Sequence, residues 1–467
     1  MNTGSPSNIR NMPPATARSG SRPGSALNLG NNKIRLIVVA STIVAFLYRS
    51  LTQRSPLLFL SAPPALPSTH GCTIHHPTIL KNCEDFSQLP GTPYTFLSCD
   101  PARREWSHVF GSYPSKAAVG EVYLWNHLTP ETEPILISGH ASLGGDFHPL
   151  GLSPVNVTDG IARVFVTNQA KARATIEVLD VLLATGESKH VKTISNGSIH
   201  SPNGIAAYNA TSFYVSNDMF MARRWSTAVL LEALFAIPGG TVVFVSVPAE
   251  EFAALDAVVE KKREGASEMS VSTIARISLA NGLAYNPHDS RLYVASSTHG
   301  IYTYSLPDPT LPSSVHPHSF HRTPFAPDNI FYSHTQRTLY ISGVSSLSAV
   351  ATSMMSPAAP RPPSWTVELL PELHRMGQVE EGVLKREKAF RAVDLANRPL
   401  REQERRWRSV FMDDGGFYGG VSNGGVVDET GRFVAVSLVG EGVLTCPGVL
   451  ERRGVLIKEE VSEKDEL

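Results

Sequence analysis

The sequence has few cysteines, no acidic residue near its beginning and none of the common metalloprotease or nucleotide-binding motifs. It contains 4 cysteines in 467 residues, and no Asp or Glu precedes Glu84. It has no H-E-x-x-H sequence, no Walker loop and no zinc-type spacing of Cys and His. The charges nearly balance, with 41 basic and 42 acidic residues, so the composition gives no reason to expect a nucleic-acid partner.

One stretch matches a catalytic pattern by letters alone. Residues 420–424 read Gly-Val-Ser-Asn-Gly, the G-x-S-x-G pattern of a nucleophile elbow. That motif needs a strand, a sharp turn and then a helix. Here residues 426–434 have the pattern of a β-hairpin instead. We therefore do not interpret Ser422 as a nucleophile.

A β-hairpin that ends in Ser or Thr is repeated through the middle of the chain, as in residues 279–296. The first strands of the six copies carry the anchor residues Glu84, Leu150, Asn203, Asn281, Asn329 and Asn423. The closing Ser or Thr follows its anchor by 13 to 15 residues in five copies and by 17 in the Leu150 copy. The anchors are 48 to 94 residues apart, which is too irregular for a solenoid. The repeat predicts an all-β fold, a six-bladed β-propeller.

Helical insertions are predicted near the channel mouth of this propeller. Residues 221–237 are strongly apolar and have the pattern of a helix that roofs the pocket or touches a membrane. Residues 250–268 indicate a shorter charged helix, and residues 371–408 a mixed-charge excursion that is helical or disordered.

Both ends of the chain carry targeting features. Residues 1–32 are basic and rich in Ser, Gly, Pro and Asn, so we expect disorder. Residues 33–54 contain an apolar run that is short for a membrane span and suits a signal peptide or a type II signal anchor. A Pro-rich linker (55–71), the propeller (72–446) and a tail (447–467) follow. The tail ends in the retrieval signal 464–467, Lys-Asp-Glu-Leu, read by a receptor in the endoplasmic reticulum.

A lumenal location makes disulfides and glycans possible. Cys72 opens the propeller and Cys446 nearly closes it, so a bridge between them would lock the ring. Cys83 and Cys99 flank a Pro-Gly turn and can face each other across a hairpin. The glycosylation sequons begin at Asn156, Asn196 and Asn209.

Five of the six anchors carry a side-chain oxygen, in one case with Asp328 beside Asn329. Equivalent residues of propeller blades meet around the axis, so these oxygens should converge there. Oxygen ligands without His or Cys suit a hard cation such as calcium. The alternative is that Asn-Gly and Asp-Asn are ordinary turn residues. His148, two residues before the Leu150 anchor, is either a channel residue or a structural histidine.

The anchor segments resemble the paraoxonase/arylesterase family of calcium-dependent lactonases. The resemblance spans roughly residues 72–446 and is most specific in 83–90, with its Glu-Asp pair, in 168–178 and in the segments 202–203, 213–218, 280–282 and 328–330. It implies a six-bladed propeller and an end-to-end disulfide that matches Cys72 with Cys446. It also implies one catalytic calcium ion, with ligands matching Glu84, Asn203, Asn281, Asp328 and Asn329.

The sequence departs from the family pattern at the proposed base. The family's histidine dyad falls on Leu150 and Gln169, and a further active-site histidine falls on Met219. A second, structural calcium would use positions matching Asp85, the Leu152 carbonyl and Gly204. The glycine lacks the carboxylate of the mammalian enzymes, which argues against this second ion.

These features predict a calcium-dependent hydrolase of lactones or of aryl and carboxylic esters in the endoplasmic-reticulum lumen, with membrane association if the apolar segment is retained. Two alternatives are a non-catalytic calcium- or ligand-binding propeller and an enzyme of the gluconolactonase or strictosidine-synthase type. Asp328, Glu84 and His148 are the candidate bases. Asp328 is favoured as a carboxylate at the axis, and His148 is the challenger.

Overall fold

A computed structural model of the chain divides into two units, which we describe separately. It describes residues 33–45, 69–109, 112–113, 119–143, 145–224, 226–253, 268–308, 311, 313–334, 336–356, 358–369, 407–427 and 431–447. The predicted disordered segment 1–32, most of the linker and nearly all of the tail with its retrieval signal lie outside these residues.

The first unit, Met1–Arg49, contributes one helix, α1 (33–45). In this helix the Thr42 hydroxyl donates to the Val38 carbonyl at 2.7 Å. Among the described residues, no helix is long and apolar enough to span a bilayer. The rest of the predicted signal segment, residues 46–54, lies outside the described part of the chain.

The second unit, Ser50–Leu467, contains six four-stranded antiparallel sheets, one for each predicted repeat. Blade one contains β2 (Cys83–Gln88), β3 (Tyr94–Cys99), β4 (Glu121–Asn126) and β5 (Ile135–Leu136); blade two contains β6 (Pro149–Thr158), β7 (Ile161–Asn168), β8 (Thr175–Leu182) and β9 (Ser188–Ile194). Blade three contains β10 (Pro202–Asn209), β11 (Ser212–Asn217), β12 (Gly240–Ser246) and β13 (Ser270–Ile277); blade four contains β14 (Ala280–Asn286), β15 (Arg291–Ser296), β16 (Gly300–Ser305) and β17 (His316–His321). Blade five contains β18 (Ala326–Ser333), β19 (Thr338–Val344), β20 (Ser364–Leu369) and β21 (Trp407–Asp413); blade six contains β22 (Val421–Val426), β23 (Phe433–Ser437), β24 (Val443–Cys446) and β1 (Thr73–His75).

The six first strands, β2, β6, β10, β14, β18 and β22, contact one another in ring order, so the blades form the predicted six-bladed propeller. The ring closes where β1, from the beginning of the propeller, pairs with β24 from its end, with Thr73 opposite Thr445. A disulfide joins Cys72 to Cys446 beside this pairing. A second disulfide joins Cys83 to Cys99, which lie opposite each other in the β2–β3 pair.

The main apolar clusters fill the spaces between neighbouring blades. Phe96 and Val122 of blade one, for example, pack with Leu152 and Val166 of blade two. Burial of such a side chain stabilises the fold by about 1.5–3 kcal/mol relative to an exposed one. The apolar clusters between neighbouring blades therefore stabilise the ring, so the axis itself can carry polar groups.

The predicted helix 221–237 is helical only over Ser226–Leu234 (α2), so the prediction was too long. Arg223 and Ala236 have positive φ angles of 62° and 48°, and this left-handed backbone cannot continue an α-helix. α2 connects the second and third strands of blade three. A second helix, α4 (Leu347–Met355), makes the same connection in blade five and is capped by Ser346.

These connections leave the second strand at the end where the first strand begins, so both helices lie on the face that carries the anchors. Of the two predicted helical insertions, the one within 221–237 is thus present near the channel mouth, whereas Glu250 follows the third strand of blade three, which ends on the opposite face. Of the predicted helix 250–268, the structure describes α3 (Glu250–Ala253) and places 254–267 outside the described residues. Residues 370–406 also lie outside, whereas Trp407 and Arg408 begin β21 and do not belong to an excursion.

The three sequon asparagines lie on blades two and three or between them. Asn156 in β6 and Asn209 in β10 are exposed. Asn196 is half-buried, and its side-chain oxygen accepts a hydrogen bond from the Ser198 amide at 2.9 Å. Their glycosylation stays a prediction.

The two disulfides should contribute differently to stability. They join residues separated by 374 and by 16 positions, so loss of the Cys72–Cys446 bridge frees a far longer loop in the unfolded chain. Loop-closure entropy predicts that this larger loop adds about 3 kcal/mol to the effect. We expect a Cys72→Ala/Cys446→Ala variant to unfold at a lower urea concentration than Cys83→Ala/Cys99→Ala. Equal midpoints for the two double variants would contradict this ranking.

Candidate active site

Each first strand carries a β-bulge beside its anchor residue. The strand register shifts at Cys83/Asp85, Pro149/Leu152, Pro202/Ile205, Ala280/Leu283, Pro327/Ile330 and Val421/Asn423. A bulge leaves one residue outside the regular ladder and changes the direction of its side chain. At the anchors, the side chains therefore do not have to follow the in–out alternation of a regular strand.

In the first three blades the closing hydroxyl binds the anchor carbonyl of the next blade. The donor–acceptor pairs are Ser98 with the Leu150 carbonyl, Thr167 with the Asn203 carbonyl at 2.9 Å, and Ser216 with the Asn281 carbonyl at 2.6 Å. These bonds fix the anchor backbone, because its carbonyl is held from the preceding blade. They account for the closing Ser or Thr of these three copies.

Two glycines allow the first strands to approach closely at the anchors. A Cβ at Gly204 would lie 2.7 Å from the Cα of Gly282, and a Cβ at Gly282 would lie 2.5 Å from the Cα of Asn329. Any side chain at these positions would collide with backbone. The anchor residues that precede these glycines, Asn203 and Asn281, are thereby brought beside the next strand.

The anchor side chains form two close contacts at the axis. The Asn281 amide donates to Asp328 Oδ1 at 2.6 Å, and the Asn329 amide donates to Glu84 Oε1 at 3.0 Å. The second contact joins blade five to blade one across the ring. Four of the five predicted calcium ligands therefore meet in two hydrogen-bonded pairs, and Asn203 lies on the neighbouring first strand.

Several oxygens at the axis lack a hydrogen-bond donor. Buried oxygens without a partner in the described structure include Glu84 Oε2, Asn203 Oδ1, Asn281 Oδ1 and Asn423 Oδ1. An unsatisfied buried polar atom costs about 1–3 kcal/mol. A cation that prefers oxygen would satisfy such atoms, and carboxylate and amide oxygens are calcium ligands. The donor set thus fits calcium.

No group of three or more His, Cys, Asp or Glu residues within the described ranges has the arrangement of a metal site. The axial set contains only two carboxylates, Glu84 and Asp328, and its other members are amides. Such a mixed set is chemically reasonable for calcium, which also takes amide carbonyl oxygens.

Both axial carboxylates are costly to ionise where they lie, as the pKa shifts of Asp328 and Glu84 indicate. Desolvation, followed by the charge of Glu84, raises the pKa of Asp328 to about 8. Burial raises the pKa of Glu84 as well, against the lowering effect of Arg103 and of the hydrogen bond from Asn329. A divalent cation between them would reverse this tendency by favouring both ionised forms.

Asp85, predicted for a second ion, is already engaged by protein donors. Its carboxylate accepts from the Asn423 amide at 2.6 Å, the Phe86 backbone N–H at 2.9 Å and the Leu152 backbone N–H at 3.1 Å. Gly204 offers no side-chain oxygen. These contacts give Asp85 a structural role, and the second ion stays a prediction.

The positions of the family's histidines are occupied by packing and cross-linking residues. Leu150 packs with Ala102 and Trp106. The Gln169 side chain donates to the Pro202 carbonyl and accepts from Arg223 at 3.0 Å. Met219 is buried with residues of the α2 region. None of the three can exchange a proton with water.

His148 is buried beside residues that the repeats do not identify. Its Nδ1 lies 2.8 Å from Asp100 Oδ2, and its ring is 4.8 Å from the ring of Trp106. Asp100 and Trp106 belong to the connection after β3, so no anchor pattern marks them. The only sequence signal is that Asp100 follows directly after the Cys99 half-cystine at the end of a closing strand.

Arg103 connects this pair electrostatically with the axis. Its guanidinium lies 4.6 Å from the centre of the Trp106 ring. Burial lowers the pKa of Arg103, whereas the charges of Glu84, Asp100 and Asp328 raise it. The His148–Asp100 pair and the axial carboxylates thus act on one arginine, which places them in one neighbourhood.

Part of the chain is similar to known proteins. A family model described as Arylesterase matches residues 82–256. The chain is 27% identical to serum paraoxonase/arylesterase 2 of Gallus gallus over 124 residues, which cover 24% of this chain and 35% of that protein. It is 31% identical to serum paraoxonase/arylesterase 1 of Mus musculus over 118 residues, which cover 24% and 33%. The match therefore spans about a third of the length of these curated relatives.

Among solved structures, the major allergen Mala s 1 of Malassezia sympodialis aligns with 82% of this chain and 96% of its own, at 13% identity and a TM-score of 0.42. A likeness at this level says nothing about function. The arylesterase match and the curated relatives show that part of the chain, within residues 82–256, is distantly similar to the paraoxonase/arylesterase family.

Proposed function

We propose that this protein is a calcium-dependent hydrolase of lactones or of aryl and carboxylic esters. The observation that carries the proposal is the set of buried oxygens at the axis that no donor among the described residues satisfies. The residues that would hold the ion are Glu84, Asn203, Asn281, Asp328 and Asn329. Bound calcium would supply polarisation of an ester carbonyl and stabilisation of the charge on its oxygen.

The stacked rings of Trp106 and Tyr113, which we call the aromatic roof, would border the apolar part of the substrate. Trp106 and Tyr113 stack with ring centres 5.5 Å apart and an interplanar angle of 9°. The Arg223 guanidinium lies 5.3 Å from the centre of the Tyr113 ring and also donates to the Gln169 carbonyl at 2.8 Å. Trp106 is buried and Tyr113 is partly exposed, so Tyr113 is the ring of this pair that would contact an aryl or alkyl group.

We also propose a location in the endoplasmic-reticulum lumen. Both disulfides support an oxidising compartment, and the terminal Lys464–Leu467 sequence supports retrieval by its receptor. The proposed apolar segment 33–54 would deliver the propeller there as a cleaved signal or as a membrane anchor.

A non-catalytic calcium- or ligand-binding propeller is the second candidate. It is favoured by Leu150 and Gln169, which stand where the family pattern has its histidine dyad and cannot take a proton. Both candidates predict calcium binding, so turnover of an ester distinguishes them.

Calcium should stabilise the folded protein. If an ion binds only the folded form at a concentration 100-fold above its Kd, it adds about 2.7 kcal/mol to the free energy of unfolding. We expect the thermal unfolding midpoint to rise with calcium and to fall with a chelator. Asn281→Ala should reduce this shift, because it removes one proposed ligand.

Asn217→Ala is the matched control. This buried asparagine is satisfied entirely within the protein, since its side chain accepts from the His200 and Ser201 amides and donates to Ser198 and Thr241. The variant should be less stable yet keep the full calcium shift. A midpoint of the wild type that responds to neither calcium nor chelator refutes the ion site.

Hydrolysis should depend on the same ion. We expect the wild type to hydrolyse at least one member of a panel of γ- and δ-lactones and phenyl esters, with activity lost on chelation and restored by calcium. Asn281→Ala should lower the rate and raise the calcium concentration needed for half-maximal activity. A calcium-stabilised protein that hydrolyses no member of the panel favours the non-catalytic candidate.

A further inference from the structure

A buried histidine–aspartate pair lies on the anchor face, just before β6. His148 precedes the first residue of that strand, and its Nδ1 is 2.8 Å from Asp100 Oδ2. The side chains are 4% and 1% exposed. The pair is not part of the anchor set, and it does not use either position of the family's dyad.

The hydrogen bonds of Asp100 determine which nitrogen of His148 carries the proton. Its Oδ1 accepts from the Ala102 backbone N–H at 2.8 Å, and its Oδ2 accepts from the Trp106 indole N–H at 2.9 Å. Both of these groups can only donate, so they favour the carboxylate as a pure acceptor. His148 then donates from Nδ1, and in the neutral ring Nε2 has a lone pair.

That second nitrogen is not used in holding the ring. Within the described part of the chain, Nε2 of His148 has no hydrogen-bond partner. The ring packs between aromatic neighbours, with centre-to-centre distances of 4.8 Å to Trp106 and 5.9 Å to Tyr113. A ring held at Nδ1 with a free, basic Nε2 is the arrangement that a general base requires.

The backbone of His148 is fixed by a separate chain of contacts. Its N–H donates to Asn168 Oδ1 at 2.9 Å, and its carbonyl accepts from the Gln169 N–H at 2.9 Å. Asn168 in turn donates to the buried Glu177 at 3.2 Å. Blade two therefore positions the ring independently of the axial ligands.

The location suits a reaction at the axis. Leu150, two residues after His148, is the blade-two anchor, and its carbonyl is held by Ser98 of blade one. The charges of the axial carboxylates Glu84 and Asp328 and that of Asp100 all raise the pKa of Arg103. Asp328 itself is a poorer base, because it would be a calcium ligand and its Oδ1 already accepts from Asn281.

We propose that His148 Nε2 is the general base of the hydrolysis, with Asp100 as its positioning residue; the proposal rests on the function proposed above. Nε2 takes a proton from water while the water oxygen bonds to the ester carbonyl carbon. The proton then passes to the leaving oxygen as its bond to that carbon breaks, which yields an alcohol and a carboxylic acid. Asp100 accepts from the positively charged imidazolium between the two steps.

The tautomer of the His148 ring can be tested without an assay of enzymatic activity. In the full chain labelled with ¹⁵N-histidine, the signal lost in His148→Gln identifies His148. We expect it to show the Nδ1–H tautomer in the wild type. Asp100→Asn should change that signal, because asparagine has one acceptor oxygen where three donors need acceptors. A wild-type His148 in the Nε2–H tautomer overturns the proposal.

Kinetics test the catalytic role. With an ester that the wild type hydrolyses, His148→Gln should lower kcat by about 10²–10⁴-fold, the usual contribution of a general base. Its calcium-induced thermal shift should equal that of the wild type. Asp100→Asn should also lower kcat and should alter the pH profile of kcat/KM, which a purely structural role would leave in place.

His108→Gln is the matched control. His108 forms a similar pair, with its Nε2 2.6 Å from Asp218 Oδ2, yet that nitrogen is the one used in the contact. This variant should keep the wild-type kcat. A His148→Gln variant with wild-type kcat on an ester overturns the base assignment alone. A wild type that hydrolyses no ester or lactone overturns the proposed function and the base together.

Discussion

The first four blades are joined by hydrogen bonds between the end of one hairpin and the beginning of the next blade. The Ser216 hydroxyl, for example, donates to the Asn281 carbonyl at 2.6 Å and accepts from the Gly204 N–H at 2.9 Å. A bond of this kind contributes only about 1 kcal/mol. Its greater effect is geometric, because it fixes the anchor backbone through the carbonyl and leaves the anchor side chain for the axis.

This construction concentrates unsatisfied polar atoms at the axis. The spaces between blades are filled by apolar side chains, whereas the axis carries two carboxylates and amide oxygens that lack a donor within the described part of the chain. Such groups reduce the stability of a fold unless a ligand satisfies them. Retention of an unfavourable polar centre in an otherwise well-packed ring is physically consistent with a function that uses it.

The sequence predicts the ring well because its determinants are local and repeated. Each hairpin carries its own anchor and closing hydroxyl, and Cys72 and Cys446 mark the ends that a ring must join. The α2 boundaries were not predictable, since the positive φ angles at Arg223 and Ala236 depend on the surrounding loops. Asp100 was not predictable as a partner of His148, because the two are 48 residues apart and only the fold brings them together.

The residues at the family's dyad positions explain why a different histidine would be used. At Leu150 an apolar side chain packs under Trp106, the same indole that donates to Asp100. At Gln169 the side chain joins Pro202 to Arg223, and Arg223 lies over Tyr113, which borders His148. A histidine at either place would remove a contact that supports the aromatic roof. In the proposed enzyme the basic nitrogen would therefore stand at His148 and not at either dyad position, whereas the proposed oxygen ligands at the axis would be those of the family pattern.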